Sequence, residues 1–221
     1  MRLALNAIVK FFCGLLVFAL LLFIPAGTLA YPCAWLMIGL LFIPMLFLGI
    51  LLFIKAPDLL KKRLDTKENE KTQKGVVAIS ALIFPIGFIT SALDFRFAWS
   101  GVPLWLTIVC SVLFLIGYVM YAEVMRENAY LSRTVKVDAE QKVVDTGLYA
   151  FVRHPMYLDT LIMFLPMPLV LGSFYALIPF AFYIPAIAVR IISEEKLLET
   201  ELCGYAEYMK KVKYRLIPFI W

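Results

Sequence analysis

Residues 8–30 read IVKFFCGLLVFALLLFIPAGTLA, and residues 33–54 read CAWLMIGLLFIPMLFLGILLFI. Each run is long enough to cross a bilayer, because about 20 apolar residues at 1.5 Å rise span a hydrocarbon core of about 30 Å. Lys10 is the one charged residue in the pair. Four later stretches have the same character: Gly75 to Leu93, Leu104 to Met125, Pro155 to Leu171 and Ser173 to Ile192. The sequence thus predicts an all-α polytopic membrane protein with about six transmembrane helices. The last two are joined by little more than Leu171-Gly172-Ser173, so they form a tight helical hairpin. Pro44, Pro85, Pro166, Pro168, Pro179 and Pro185 fall inside the spans and are expected to kink them, which bilayer helices tolerate when neighbours re-satisfy the freed backbone.

Composition supports this and removes alternatives. Of 221 residues 63% are hydrophobic and 17% charged, with a mean hydropathy of +0.88. Soluble domains are about half apolar and about a quarter charged. Four scattered cysteines are too few for a disulfide scaffold, and the apolar content excludes a disordered basic arm. The net charge of +5 therefore points to a membrane surface, with no nucleic-acid partner. The single histidine, His154, rules out HExxH and multi-histidine metal sites, so no metal is expected. No two glycines stand in G-x-G spacing and no G-x-x-x-x-G-K-[ST] run occurs, which excludes the usual nucleotide-binding loops.

Lys and Arg give the orientation. With a cytoplasmic N-terminus, the inside segments are 1–10, 55–74, 123–154 and 190–221, and they hold 20 of the 21 basic residues. Arg96 alone lies outside. The asymmetry follows the positive-inside rule and puts both termini in the cytoplasm, in a prokaryotic inner membrane or its equivalent. Trp35, Trp99 and Trp105 sit where an outer aromatic belt belongs. Thr28-Leu29-Ala30 imitates a signal-peptide cleavage site, but the preceding apolar run is longer than a signal peptide's, and it is read as a retained helix. The segment Lys55 to Lys74 reads as a solvated basic loop against anionic headgroups.

Polar residues concentrate in the last hundred positions. The segment 142–157, KVVDTGLYAFVRHPMY, has Gly147 at a turn and Pro155 at the first position of a helix. Arg153 and His154 then stand at a helix N-terminus at the membrane surface, where backbone N–H groups favour a carboxylate or phosphate. Interfacial anchoring of the two side chains explains them equally well. Further on, Arg190 and Glu194 share a helix face at spacing four, either as a functional intramembrane charge pair or as an interfacial ion pair. Asp159 is read as a first-turn carboxylate favoured by the helix dipole. From Leu197 to Val212 the pattern is amphipathic, a cytoplasmic segment lying over the two clusters, with Tyr205 and Tyr208 as packing residues.

In order, these residues are Gly147-Leu-Tyr-Ala-Phe-Val-Arg-His-Pro-Met-Tyr157, Arg190-x-x-x-Glu194-Glu195, Tyr205-x-x-Tyr208 and Arg215-Leu-Ile-Pro-Phe-Ile-Trp221. The series resembles the isoprenylcysteine carboxyl methyltransferase family and its prokaryotic relatives, a group that includes phospholipid N-methyltransferases and methanethiol S-methyltransferases. The resemblance divides the chain into N-terminal transmembrane helices, 1–124, and a methyltransferase-like catalytic region, 125–221. It implies S-adenosyl-L-methionine as methyl donor, held by Gln141, Lys142, Val143, Val144, Tyr149, His154, Pro155, Met156, Tyr157 and Glu194. It also implies Arg190 as the holder of an acceptor carboxylate, with Glu195 as a candidate base for an amine acceptor. The family usually has a small residue where this chain has Asp159.

The expected reaction is methyl transfer to a lipid-like or prenylated acceptor, foremost a carboxylate, with a membrane lipid or lipid-tailed molecule as partner and no obligate protein partner. A carboxylate is already ionised near pH 7 and needs orientation and desolvation, not a base. Phospholipid amines and small thiols are the alternative acceptors. A membrane reductase using NADPH is another class, for which the chain has no dedicated 2′-phosphate cluster of basic residues. A non-catalytic protein with a structural Arg190–Glu194 pair is the third reading.

Overall fold

A computed structural model describes residues 2–65, 71–132, 134, 137 and 140–221. Lys67, Glu68 and Glu70 of the basic segment lie outside the described residues. Helices α1 (Arg2–Ala26), α2 (Pro32–Lys55), α4 (Lys71–Phe97) and α5 (Leu104–Glu127) are long, and α3 (Pro57–Leu64) is a short helix after α2. A 3-10 turn at Gly147–Ala150 leads to α6 (Pro155–Phe164), α7 (Met167–Val170), α8 (Leu177–Ala181), α9 (Tyr183–Glu201) and α10 (Tyr205–Lys211).

Five segments among the described residues are long and apolar enough to span a membrane: α1, α2, residues Gln73–Phe97, α5 and Leu177–Glu201. The sixth expected span, Pro155 to Leu171, is a 16-residue apolar stretch broken between α6 and α7 at Leu165-Pro166. Pro166 has no N–H to carry the ladder on, so the helix stops and restarts there. Pro44 and Pro85, by contrast, lie inside continuous helices. At most 33% of any span's apolar window is buried in the protein. The outward faces are therefore apolar over their whole length and require lipid. Trp35, Trp99 and Trp105 are all exposed. The protein is an all-α polytopic membrane protein.

The bundle is built by packing α1 on α4, α4 on α9, and α5 on α6 and α7. Its main core holds Phe18, Leu22, Met37, Phe42, Phe114 and Phe180. At Gly117 on α5, an added Cβ would lie 2.5 Å from Met163 Cγ and 3.1 Å from the Asp159 carbonyl oxygen. Only glycine lets α5 and α6 approach this closely, as small residues do in membrane bundles. Polar bonds tie the helix ends in two sets. At one end Arg96 donates to the Pro25 carbonyl (3.3 Å), and Asp94 accepts from Ser100 and Ser173. At the other end Arg63 donates to the Ser132 carbonyl (3.1 Å), and Lys211 pairs with Asp145 (2.7 Å).

Two sequence expectations need correction. The segment after Lys55 is not simply a solvated loop, because α3 buries Leu59 and Leu60, and Leu59 packs in a cluster with Val124, Met125 and Tyr149. Asp159 is not in a first turn. With His154 as the N-cap it falls in the second turn of α6, fully buried, and neither carboxylate oxygen has a hydrogen-bond partner among the described residues. The dipole argument fails at that depth, since the effect fades within the first turn.

Candidate active site

The site begins with a loop that glycine makes possible. Gly147 has φ +54°, and a Cβ there would come within 2.8 Å of Glu127 Cδ. The turn it allows presents Tyr149, whose hydroxyl accepts from Asn128 Nδ2 (2.9 Å). Residues 152–154 then run beside the C-terminal segment. Arg153 N–H donates to the Tyr214 carbonyl and His154 N–H to the Arg215 carbonyl, both at 2.9 Å. Pro155 at the first helical position sends the chain into α6.

Beneath this strap is a buried charge cluster. Glu195 is 5% exposed, and its Oε1 accepts from Arg153 Nε (2.7 Å) and His154 Nε2 (3.2 Å), while Oε2 accepts from Arg215 Nε (2.7 Å). Arg153 also donates to the carbonyls of Val212 (2.9 Å) and Lys213 (3.0 Å). A buried carboxylate is tolerable only when paired and hydrogen-bonded in this way. The cluster clamps three pieces together: the start of α6, the middle of α9 and the C-terminal segment. Tyr208 adds a fourth tie by donating to the Tyr149 carbonyl (2.7 Å). Arg215 also lies over the Trp221 ring, 5.4 Å from its centroid.

Beside the clamp lies a cleft of about 810 Å³, open solvent at its mouth included. Every residue lining it falls between Asn128 and Tyr208. Gln141, Lys142, Val143, Val144, Tyr149, His154, Met156, Tyr157, Arg190 and Glu194 all stand on its wall. Pro155 does not, being buried at the start of α6, and Glu195 does not, being held in the clamp. Its lining is mixed, with the charged or ionisable Arg153, His154, Arg190 and Glu194 and the apolar Leu131, Val143, Val144 and Leu198.

Arg190 and Glu194 meet through a third residue. Arg190 Nε donates to the Tyr157 hydroxyl (2.8 Å), and Tyr157 donates in turn to Glu194 Oε2. This ordered relay keeps a cation and an anion side by side at the cleft. Burial pushes the Tyr149, Tyr205 and Tyr208 hydroxyls well above the usual phenol range, so they serve as neutral hydrogen-bonding groups.

Residues that the sequence reading passes over also stand here. Asn128, Tyr130, Ser132 and Thr134 line the cleft. Arg63, on α3, reaches its edge by bonding the Ser132 carbonyl, Tyr121 Oη and Met156 Sδ. A local signal for Arg63 exists in Leu59-Leu60 with Arg63, one apolar face with a cation at its rim.

Helices that need lipid, beside a cleft lined by both charged and apolar residues, define a polytopic membrane protein with a candidate ligand site at its polar end. The family model "Isoprenylcysteine carboxyl methyltransferase (ICMT) family" matches residues 106–200. A solved structure described as the eukaryotic intramembrane Ras methyltransferase ICMT, without a monobody, is similar at 18% identity and a TM-score of 0.48. That alignment covers 100% of this chain and 88% of the other.

Proposed function

We propose that the cleft binds S-adenosyl-L-methionine and that the enzyme methylates the carboxylate of a lipid-tailed acceptor. The observation that carries this reading is the composition of one wall, where Arg190, Tyr157, Glu194 and His154 stand together. A zwitterionic amino-acid group needs both signs of charge within a few ångströms, and a flat purine needs apolar surface such as Val143 and Val144 offer. The donor set therefore fits this cofactor. When bound, S-adenosyl-L-methionine supplies a methyl group made electrophilic by its sulfonium.

The chain's own residues account for the rest. Arg190 is positioned by Tyr157 and orients an acceptor carboxylate by charge and hydrogen bonding. Glu194 is held by Tyr157 and meets a cationic or hydroxyl-bearing part of the cofactor. The clamp at Glu195 keeps the C-terminal segment over the cleft and excludes water. Glu195 is a positioning residue in this reading. Its carboxylate is committed to Arg153, His154 and Arg215, which favours an acceptor that needs no general base.

Exposed apolar faces on every spanning helix let a lipid-tailed acceptor approach from the bilayer. The basic segments lie at the cleft end, where lysines and arginines mark the cytoplasmic side, so the cleft faces the cytoplasm. The test is to supply methyl-labelled S-adenosyl-L-methionine with a prenylated cysteine, a phospholipid amine and a small thiol in turn. Label released as volatile methanol by mild base identifies a methyl ester. Transfer only to the amine or thiol, with base-stable label, would replace the carboxylate as acceptor.

A further inference from the structure

We infer that the Tyr205 hydroxyl is a cofactor contact, bonding the amino-acid arm of S-adenosyl-L-methionine; this rests on the proposed cofactor. Tyr205 opens α10 and is 3% exposed. Its hydroxyl is shielded from water and has no hydrogen-bond partner among the described residues. Every other buried tyrosine among the described residues escapes that condition. Tyr208, three residues on and with its ring centroid 5.7 Å from that of Tyr205, spends its hydroxyl on the Tyr149 carbonyl. A buried hydroxyl without a partner is unfavourable in the folded state. Tyr205 stands on the cleft wall, so a ligand there is the missing partner.

The end of the ligand follows from charge. The ionised groups acting on Tyr205 are Glu195, Glu194 and Arg153. Glu194 and Arg153 line the cleft and Glu195 lies in the clamp beside it, an environment where an ammonium and a carboxylate fit better than a purine. A neutral hydroxyl can donate to the carboxylate or accept from the ammonium. Tyr205 thereby ties α10 to ligand occupancy: the same short helix that Tyr208 fastens to the protein is fastened by Tyr205 to the cofactor.

The experiment titrates the full detergent-solubilised chain with S-adenosylhomocysteine and with 5′-methylthioadenosine, which keeps the nucleoside and thioether but lacks the amino-acid arm. Tyr205→Phe is expected to weaken S-adenosylhomocysteine about fivefold to tenfold, the loss of one hydrogen bond, and to leave 5′-methylthioadenosine within twofold. Its thermal midpoint should hold or rise. Tyr208→Phe, which removes an anchor of α10, should lower the midpoint and weaken both ligands alike. Equal weakening of both ligands by Tyr205→Phe, or no weakening, overturns the inference. So does a lowered midpoint like that of Tyr208→Phe, which would make Tyr205 a packing residue. A wild-type chain that binds no S-adenosylhomocysteine overturns the cofactor reading itself, and this inference with it.

Discussion

Replacing Glu195 by Gln should loosen the C-terminal segment, and the size of the effect follows from its partners. The carboxylate receives three charge-assisted or imidazole hydrogen bonds: from Arg153 and Arg215 at 2.7 Å each, and from His154 at 3.2 Å. A glutamine keeps one acceptor oxygen and turns an NH2 group toward the cations. At least one bond to a charged donor is lost, worth about 1.5–3 kcal/mol. Arg153 is only 8% exposed and is left without its counter-charge, and breaking a buried pair costs about 3–5 kcal/mol. The amide dipole and the carbonyls of Val212 and Lys213 compensate in part, so about 3 kcal/mol is a fair expectation. On the scale of soluble chains this size, that lowers the thermal midpoint by about 6–12 °C. The lost clamp should also expose the backbone around Lys210, Lys211 and Lys213 to trypsin, since these side chains are already at the surface. The assay is a thermal melt with limited proteolysis in detergent, with Glu194→Gln as the control. Glu194 has a hydroxyl partner in Tyr157 and stands on the cleft wall, so its substitution should leave melting and cleavage unchanged while weakening cofactor binding. Equal behaviour of the two variants in both assays would refute the division of labour between these adjacent glutamates.

Other substitutions separate the site from its support. His154→Ala should weaken S-adenosylhomocysteine binding by about tenfold, read by calorimetry, since the residue both lines the cleft and touches the clamp. Arg190→Ala should leave that affinity within about threefold while turnover of a carboxylate acceptor falls by about two orders of magnitude, measured as base-released methanol. Gly147→Ala places a side chain at φ +54° against Glu127 and should destabilise the cofactor loop by about 1–2 kcal/mol, measurable as a lower thermal midpoint. Gly117→Leu forces α5 from α6 at Met163 and should lower the midpoint by at least as much as Gly147→Ala.

The spanning helices are legible in the sequence because lipid imposes one simple demand, a long apolar run, and α1, α2, α4, α5 and the α8–α9 segment each meet it. The cleft wall is legible for another reason. Tyr149, His154, Met156 and Tyr157 lie within one short motif around a glycine and a proline, and Arg190 and Glu194 lie on one helix face, so local spacing brings each group together. What spacing cannot convey is partner choice across the chain. Nothing local distinguishes Glu194 from Glu195; one reaches Tyr157 and the other reaches Arg153, His154 and Arg215 because α9 is rotated against α6 and the C-terminal strap. Arg63 reads as one base among seven in a basic segment until α3 buries Leu59 and Leu60 and carries it to Ser132 and Met156. The burial of Asp159 likewise depends on the close approach of α6 to Gly117, which no periodicity reveals.

The central claim, that this cleft holds S-adenosyl-L-methionine, is tested most directly by titrating the purified protein with S-adenosylhomocysteine and, in parallel, with NADPH. Saturable binding of S-adenosylhomocysteine that is weakened in Glu194→Gln, with no binding of NADPH, is the predicted result. Binding of NADPH alone, or of neither ligand by a folded sample, would contradict it.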